Sequence, residues 1–240
     1  MKKSLLLASA GILLGGMTVA QAQVTLLVSA DTYLVNDFDA DASLAHGTDT
    51  SMEIRSLRDR RMHILYFRFD LSGVTGDLSD ATISLNATSS KKNGTVQFHG
   101  ILDGALGGQG ENWDESTLVY NNAAGFSPTY PGQYVATSDL SAILATVDMS
   151  DGAPGLYSTT ATTTMDDFLA ADTNGMVTFA ALYTGPNGNA RYVFSTKEAD
   201  AALSAQLNLP YATAVPEPAT VAFFLGGFSL LLVLYRRRSR

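Results

Sequence analysis

Residues 63–71, HILYFRFDL, constrain the fold more than any other stretch of this 240-residue chain. In an extended strand successive side chains point to opposite faces. Leu65, Phe67, Phe69 and Leu71 therefore share one face with His63, and Ile64, Tyr66, Arg68 and Asp70 share the other. One face is apolar and the other half-polar, the pattern of a strand in a two-sheet sandwich. Around it, short runs rich in Val, Ile, Thr, Tyr and Phe recur between clusters of Gly, Asn, Asp and Ser. That texture is all-β.

The remaining strands follow the same rule. Residues 24–28 and 30–35 open the set, and residues 52–57 alternate Met52, Ile54 and Ser56 against Glu53, Arg55 and Leu57. Residues 81–88 align Ala81, Ile83, Leu85 and Ala87; residues 95–102 align Val96, Phe98, Gly100 and Leu102. Lys91-Lys92-Asn93-Gly94 joins these two, and Asn-Gly is a strong hairpin signal. Residues 176–183 read as a buried strand, and 191–195 and 205–209 close the domain. Residues 73–80 read as a turn, and 103–126 as a long loop carrying the only tryptophan, Trp113. Two short helices are expected, at 140–146 and 165–171, the second capped by Thr163 or Thr164 with Asp166 and Asp167 in its first turn. The chain has no cysteine, which excludes a thiol nucleophile, a thiolate zinc site and an iron–sulfur cluster.

Both ends carry export signals. Lys2 and Lys3 precede an apolar run over 5–17, and Ala20-Gln21-Ala22 has the form of a signal-peptidase site, so 1–22 reads as a signal peptide. At the other end Pro216-Glu217-Pro218 is followed by an uncharged stretch, 219–235, long enough to be a single transmembrane helix. Arg236, Arg237 and Arg238 come next and form a membrane stop, which keeps the basic tail 236–240 cytoplasmic. This layout resembles the PEP-CTERM sorting tail of Gram-negative bacterial proteins. The resemblance implies handling by an exosortase, a transient stay in the inner membrane, and delivery to the cell surface or a biofilm-type extracellular matrix. The expected organisation is a signal peptide, a domain over 23–211, a linker over 212–218, and the tail.

The domain resembles the DNRLRE-type module. The residues that carry the likeness are Asp31-Thr32-Tyr33-Leu34, a loop ending at Gly47, and the stretch from Leu65 to Ser72. Ala81-Thr82-Ile83-Ser84-Leu85, the run Glu111-Asn112-Trp113-Asp114-Glu115 continuing to Ala123, and Phe194-Ser195-Thr196-Lys197-Glu198 complete it. Tyr120 stands where a tryptophan is common, and 127–171 has no family landmark. The resemblance implies a jelly-roll β-sandwich similar to carbohydrate-binding modules. It gives Arg68, Asp70, Trp113, Glu115 and Asn121 structural roles, with Trp113 packing its loop onto the sandwich.

With the ends set aside the domain holds 9 basic and 22 acidic residues, a net charge of −13. Nucleic acid and anionic lipid are repelled by such a surface, whereas divalent cations are attracted. Asp31 and the alternating Asp37, Asp39 and Asp41 are the candidate ligands for a structural calcium; no other cofactor is indicated. Ala42 and Thr48 replace the Gly and Glu that an EF-hand needs. Asp114 and Glu115 beside Trp113 resemble a glycosidase pair only in composition, because neighbours in sequence rarely face a substrate from opposite sides. His46, His63 and His99 lack metal-ligand spacing, and no hydrolase or phosphate-binding motif occurs. The chain therefore reads as an exported, non-catalytic protein that binds or sits within exopolysaccharide. The alternatives are an adhesive matrix protein without a ligand site and, less well supported, a polysaccharide-degrading enzyme.

Overall fold

The computed structural model describes residues 23–37, 42–57, 61–91, 94–105, 109–127, 135–149, 152–184 and 190–214. The signal peptide, Asp39, Asp41, Asn93 and everything from Val215 onward lie outside the described residues. The sorting tripeptide, the expected membrane span and its arginines fall in that last part. Among the described residues no helix is long and apolar enough to cross a membrane.

Thirteen strands and two α-helices, with short 3-10 turns at Tyr120–Asn122 and Ala201–Leu203, make up the described chain: β1 (Val24–Leu27), β2 (Ala30–Asp37), β3 (Ser51–Leu57), β4 (Arg61–Asp70), β5 (Val74–Gly76), β6 (Thr82–Lys91), β7 (Thr95–Ile101), β8 (Leu140–Asp148), β9 (Gly155–Ser158), α1 (Thr163–Ala170), β10 (Met176–Thr184), β11 (Ala190–Ser195), α2 (Lys197–Asp200), β12 (Gln206–Leu209) and β13 (Ala212–Ala214). Eleven strands form one curled antiparallel sheet in the order β1-β12-β6-β11-β3-β4-β10-β7-β8, with β2 also on β4 and β9 on β6. β4 is the junction. It pairs with β2 along Arg61 to Arg68, with β3 at Arg61 to His63, and with β10 from Leu65 to Asp70.

The curl brings the two halves of the sheet face to face. Leu65, Phe67 and Phe69 of β4 join Phe98 and Phe179 in a core that also takes Ile54, Ile83, Leu85, Phe194 and Leu207 from the other half. Phe69 meets Phe179 edge-on at 5.9 Å between centroids, a favoured aromatic geometry. The result is a jelly-roll-like β-sandwich.

The half-polar face of β4 is not left to solvent. Ile64 and Tyr66, with Leu34, Ala180 and Leu182, lie under Trp113, Leu118, Tyr120 and Phe126 in a second core. The polar groups on that face find partners there. The Tyr66 hydroxyl donates to Ala124 O, and Arg68 Nη1 donates to Trp113 O at 2.5 Å. The Arg68 guanidinium also stands 5.3 Å over the Trp113 ring, within cation–π range.

Three expectations are corrected. Residues 140–146 form no helix: they belong to β8, which pairs with β7 so that Val96 faces Val147 and Phe98 faces Ala145. A seven-residue helix is marginal on its own, whereas β7 offers a row of unpaired backbone groups. The cap of α1 is Thr162 rather than Thr163 or Thr164; its hydroxyl accepts from Met165 N at 3.2 Å, while Thr164 donates to Leu144 O. Within the expected turn at 73–80, β5 pairs with β13, so the paired strands run to Ala214, beyond the expected boundary at 211.

Trp113 is fully buried, and its ring, indole N–H and backbone carbonyl are all engaged. Trp113→Ala is expected to cost about 3–5 kcal/mol, read as a lower urea midpoint. Trp113→Phe should lose less, because it keeps one aromatic ring in the site and sheds the indole N–H bond and the second ring's volume.

Candidate functional site

β2 pairs only with β4, so one side of it lies at the edge of its half of the sandwich. On this strand Asp31 and Tyr33 point the same way. The loop after β2, the turn between β11 and α2, and the segment that carries Glu115 close around them.

Asp31 is fully buried. Its Oδ2 accepts from Lys197 N at 3.0 Å, and its own backbone N–H donates to Glu115 Oε1 at 2.8 Å. Its Oδ1 is buried with no hydrogen-bond partner. Lys197 Nζ stands 2.7 Å from Glu115 Oε2 and also bonds Glu198 Oε1. Carboxylate oxygens of Asp31, Glu115 and Glu198 lie within 4.8 Å of one another, close enough to hold one ion. Burial pushes the Asp31 carboxyl up to about 7; the backbone N–H of Lys197 opposes that shift, and the charges of Glu198 and Glu115 add to it. Gly47 is what lets the loop approach, since a Cβ there would stand 2.0 Å from Glu115 O.

The Tyr33 ring stacks between His46, at 4.1 Å, and His63, at 5.6 Å. Its hydroxyl donates to Asp49 Oδ2 at 3.1 Å, and His46 Nδ1 lies 3.0 Å from the same oxygen. Thr196 Oγ1 donates to Asp49 O at 2.7 Å and so ties the loop to the turn before α2. Burial, with the Asp49 charge behind it, raises the Tyr33 phenol to about 12, so it remains a donor at any physiological pH. Beyond His63, Glu53 is held by Arg191 Nε at 2.7 Å and Arg55 Nη1 at 3.4 Å, with His63 Nδ1 at 4.0 Å. The three groups form a ribbon of oriented donors, acceptors and one stacked ring, largely buried, with Asp49 and Arg191 its exposed members.

Of the two expected calcium ligands among the described residues, Asp31 is in this ribbon and Asp37 is not. Asp37 lies six residues further along β2, roughly 20 Å away, and Asp39 and Asp41 are outside the described residues. Glu115 and Glu198, from two distant segments, take their place beside Asp31. Arg68 and Trp113 belong to the second core. Asp70 is exposed, and hydrogen bonds from Ser72 hold its carboxyl below the usual carboxylate range. Asn121 is exposed. Asp114 caps the Ser116 N–H and hydroxyl, at 2.8 and 2.7 Å, and does not face Glu115 across a cleft.

Two other places carry charge. A cavity of about 530 Å³ opens between β5 and α1, with Asp77, Asp166, Asp167 and Asp172 on its wall and no aromatic ring among its lining residues. It offers no stacking surface. Asp103 and Glu111 meet at Asn174, whose Nδ2 donates to Asp103 Oδ1 at 3.0 Å and also to Glu111. Burial, reinforced by the hydrogen bond Glu111 donates to Asp103 and by the Asp103 charge, pushes the Glu111 carboxyl up to about 7.

A family model described as carbohydrate-binding module family 96 matches residues 22–210. Among curated proteins none matches the chain.

The Glu111 shift makes a signed prediction. A carboxyl raised from 4.5 to about 7 holds its proton more tightly when folded. Its contribution to stability is therefore full below pH 4.5 and lost as pH rises through about 7. Melting temperature should fall across that window, and Glu111→Gln should flatten the fall. An equal slope in the variant assigns the dependence to another group.

Proposed function

The chain belongs to carbohydrate-binding module family 96, and from that premise we propose that it is an exported, non-catalytic protein that binds extracellular polysaccharide. The observation that carries the reading is the family match across nearly the whole domain. The ribbon along β2 supplies a place for the contact. Arg191 and Asp49 offer exposed polar groups, and Glu53 and the Tyr33 hydroxyl are held in fixed orientations by their partners. Sugar hydroxyls present donor–acceptor pairs, and a surface of pre-oriented polar groups binds them without losing much side-chain freedom. The net charge of −13 favours neutral glycans over polyanions.

The adhesive reading without a ligand site keeps one observation in its favour. Trp113 is buried, and Tyr211 is the one aromatic among the exposed large hydrophobics of the described residues. A broad stacking platform is therefore not what this surface provides, and the polar ribbon must do the binding. Export through a signal peptidase, a transient inner-membrane stage and release by an exosortase rest on the residues of the two ends, above all Pro216-Glu217-Pro218.

Affinity gels loaded with neutral polysaccharides test the binding. The full chain is expected to be retained, and Tyr33→Ala and Arg191→Ala should each weaken retention roughly tenfold, the loss of ~1.4 kcal/mol. No retention on any glycan rejects the function; retention untouched by both substitutions moves the site elsewhere. Replacing Pro216, Glu217 and Pro218 by alanine should leave the protein in the inner-membrane fraction, read by cell fractionation.

A further inference from the structure

We propose that Asp31, Glu115 and Glu198 bind one divalent cation, calcium by the chemistry of the donors. The three carboxylates come from β2, from the 109–127 segment and from α2, and only the fold brings them within 4.8 Å of one another. An acidic cluster alone is an ordinary surface feature. This one contains a fully buried member, Asp31, whose Oδ1 has no hydrogen-bond partner. A buried carboxylate oxygen left unpaired is costly, and native structures fill such positions with a donor or an ion.

The charge count agrees. With all three carboxylates ionised, as metal ligands must be, they and the Lys197 ammonium sum to −2, which one divalent cation neutralises. Lys197 Nζ sits on Glu115 and Glu198, a flexible counter-charge on two of the three ligands. An entering cation displaces that ammonium outward, toward the solvent that the Lys197 side chain already reaches. An all-carboxylate donor set selects a hard cation. Ligands from three separate segments suit the adaptable coordination of calcium better than the strict octahedron of magnesium. The bound ion would pin the start of β2, the 109–127 segment and α2 together, beside Tyr33. The inference rests on these side chains and not on the glycan-binding reading.

Calorimetric titration of calcium into the chelator-treated full chain, with melting curves alongside, is the test. One ion should bind per chain, and at a hundredfold excess over Kd the melting temperature should rise by about 5–10 °C. Glu198→Gln and Asp31→Asn should weaken binding by about tenfold or more, and Lys197→Met should tighten it by removing the competing ammonium. Should Asp31→Asn fail to fold, Glu198→Gln decides, because Glu198 is an exposed residue of the short helix α2. No binding at millimolar calcium overturns the proposal. So does binding that Glu198→Gln leaves unchanged, and equal affinity for magnesium overturns the choice of calcium.

Discussion

The Thr178 hydroxyl holds the tryptophan-bearing segment onto the sandwich by two bonds at once. It accepts from Trp113 Nε1 at 3.1 Å and donates to Glu111 O at 3.0 Å, so both ends of its hydrogen-bonding capacity hold the 109–127 segment onto β10. All three partners are buried, where an unmatched polar atom would cost more than the bond gains. The segment in turn covers the outer faces of β4 and β10 and closes the second core. Glu115 follows Trp113 by two residues, so the position of the ring determines where that carboxylate meets Asp31. The fold and the candidate site thus share one anchor.

Much of the fold was legible because period-two alternation is a local signal. β4 and β6 show it, and their alternating apolar residues lie in the core. β10 was readable instead as a continuous apolar run, buried on both faces, and in β7 Val96 and Phe98 are buried as expected while Leu102, expected on the same face, is exposed. β8 was not legible, for a physical reason. The run LSAILATVD is rich in good helix formers, and its register on β7 shifts between Phe98 and His99 and again before Ile101. Those irregularities break the alternation, leaving Ile143 exposed while Leu144, Ala145 and Val147 are buried. Short strands such as β5 and β13 carry too few side chains to alternate at all. Their pairing is a tertiary event.

The candidate site was legible only in fragments. Asp31, Tyr33, Glu115 and Glu198 all lie in stretches that carry the family resemblance, yet no spacing joins them. Asp31 and Glu115 are 84 residues apart, and Asp31 and Lys197 are 166 apart. The conspicuous local pattern is Asp37, Asp39 and Asp41; Asp37, the one of the three among the described residues, stands at the far end of β2 from Asp31. Metal-like spacing within one loop is readable from a sequence; a cluster assembled from three segments is not.

Electrostatics explains why this one strip stands out on an acidic domain. Among the described side chains the arginines and lysine are Arg55, Arg68, Arg191 and Lys197, and three of them lie in the ribbon. The fourth, Arg68, lies over Trp113 beneath the same segment. Placed here, Arg55, Arg191 and Lys197 hold Glu53, Glu115 and Glu198 in place. Each pair is only partly buried, so its Coulombic gain is modest and screened by salt. What the clustering supplies is orientation rather than stability. A charged side chain tied to a partner presents its remaining lone pairs in a fixed direction, and a ligand made of hydroxyls needs that. On the proposed reading, the surrounding negative charge would disfavour polyanions and leave neutral sugars and small cations free to approach.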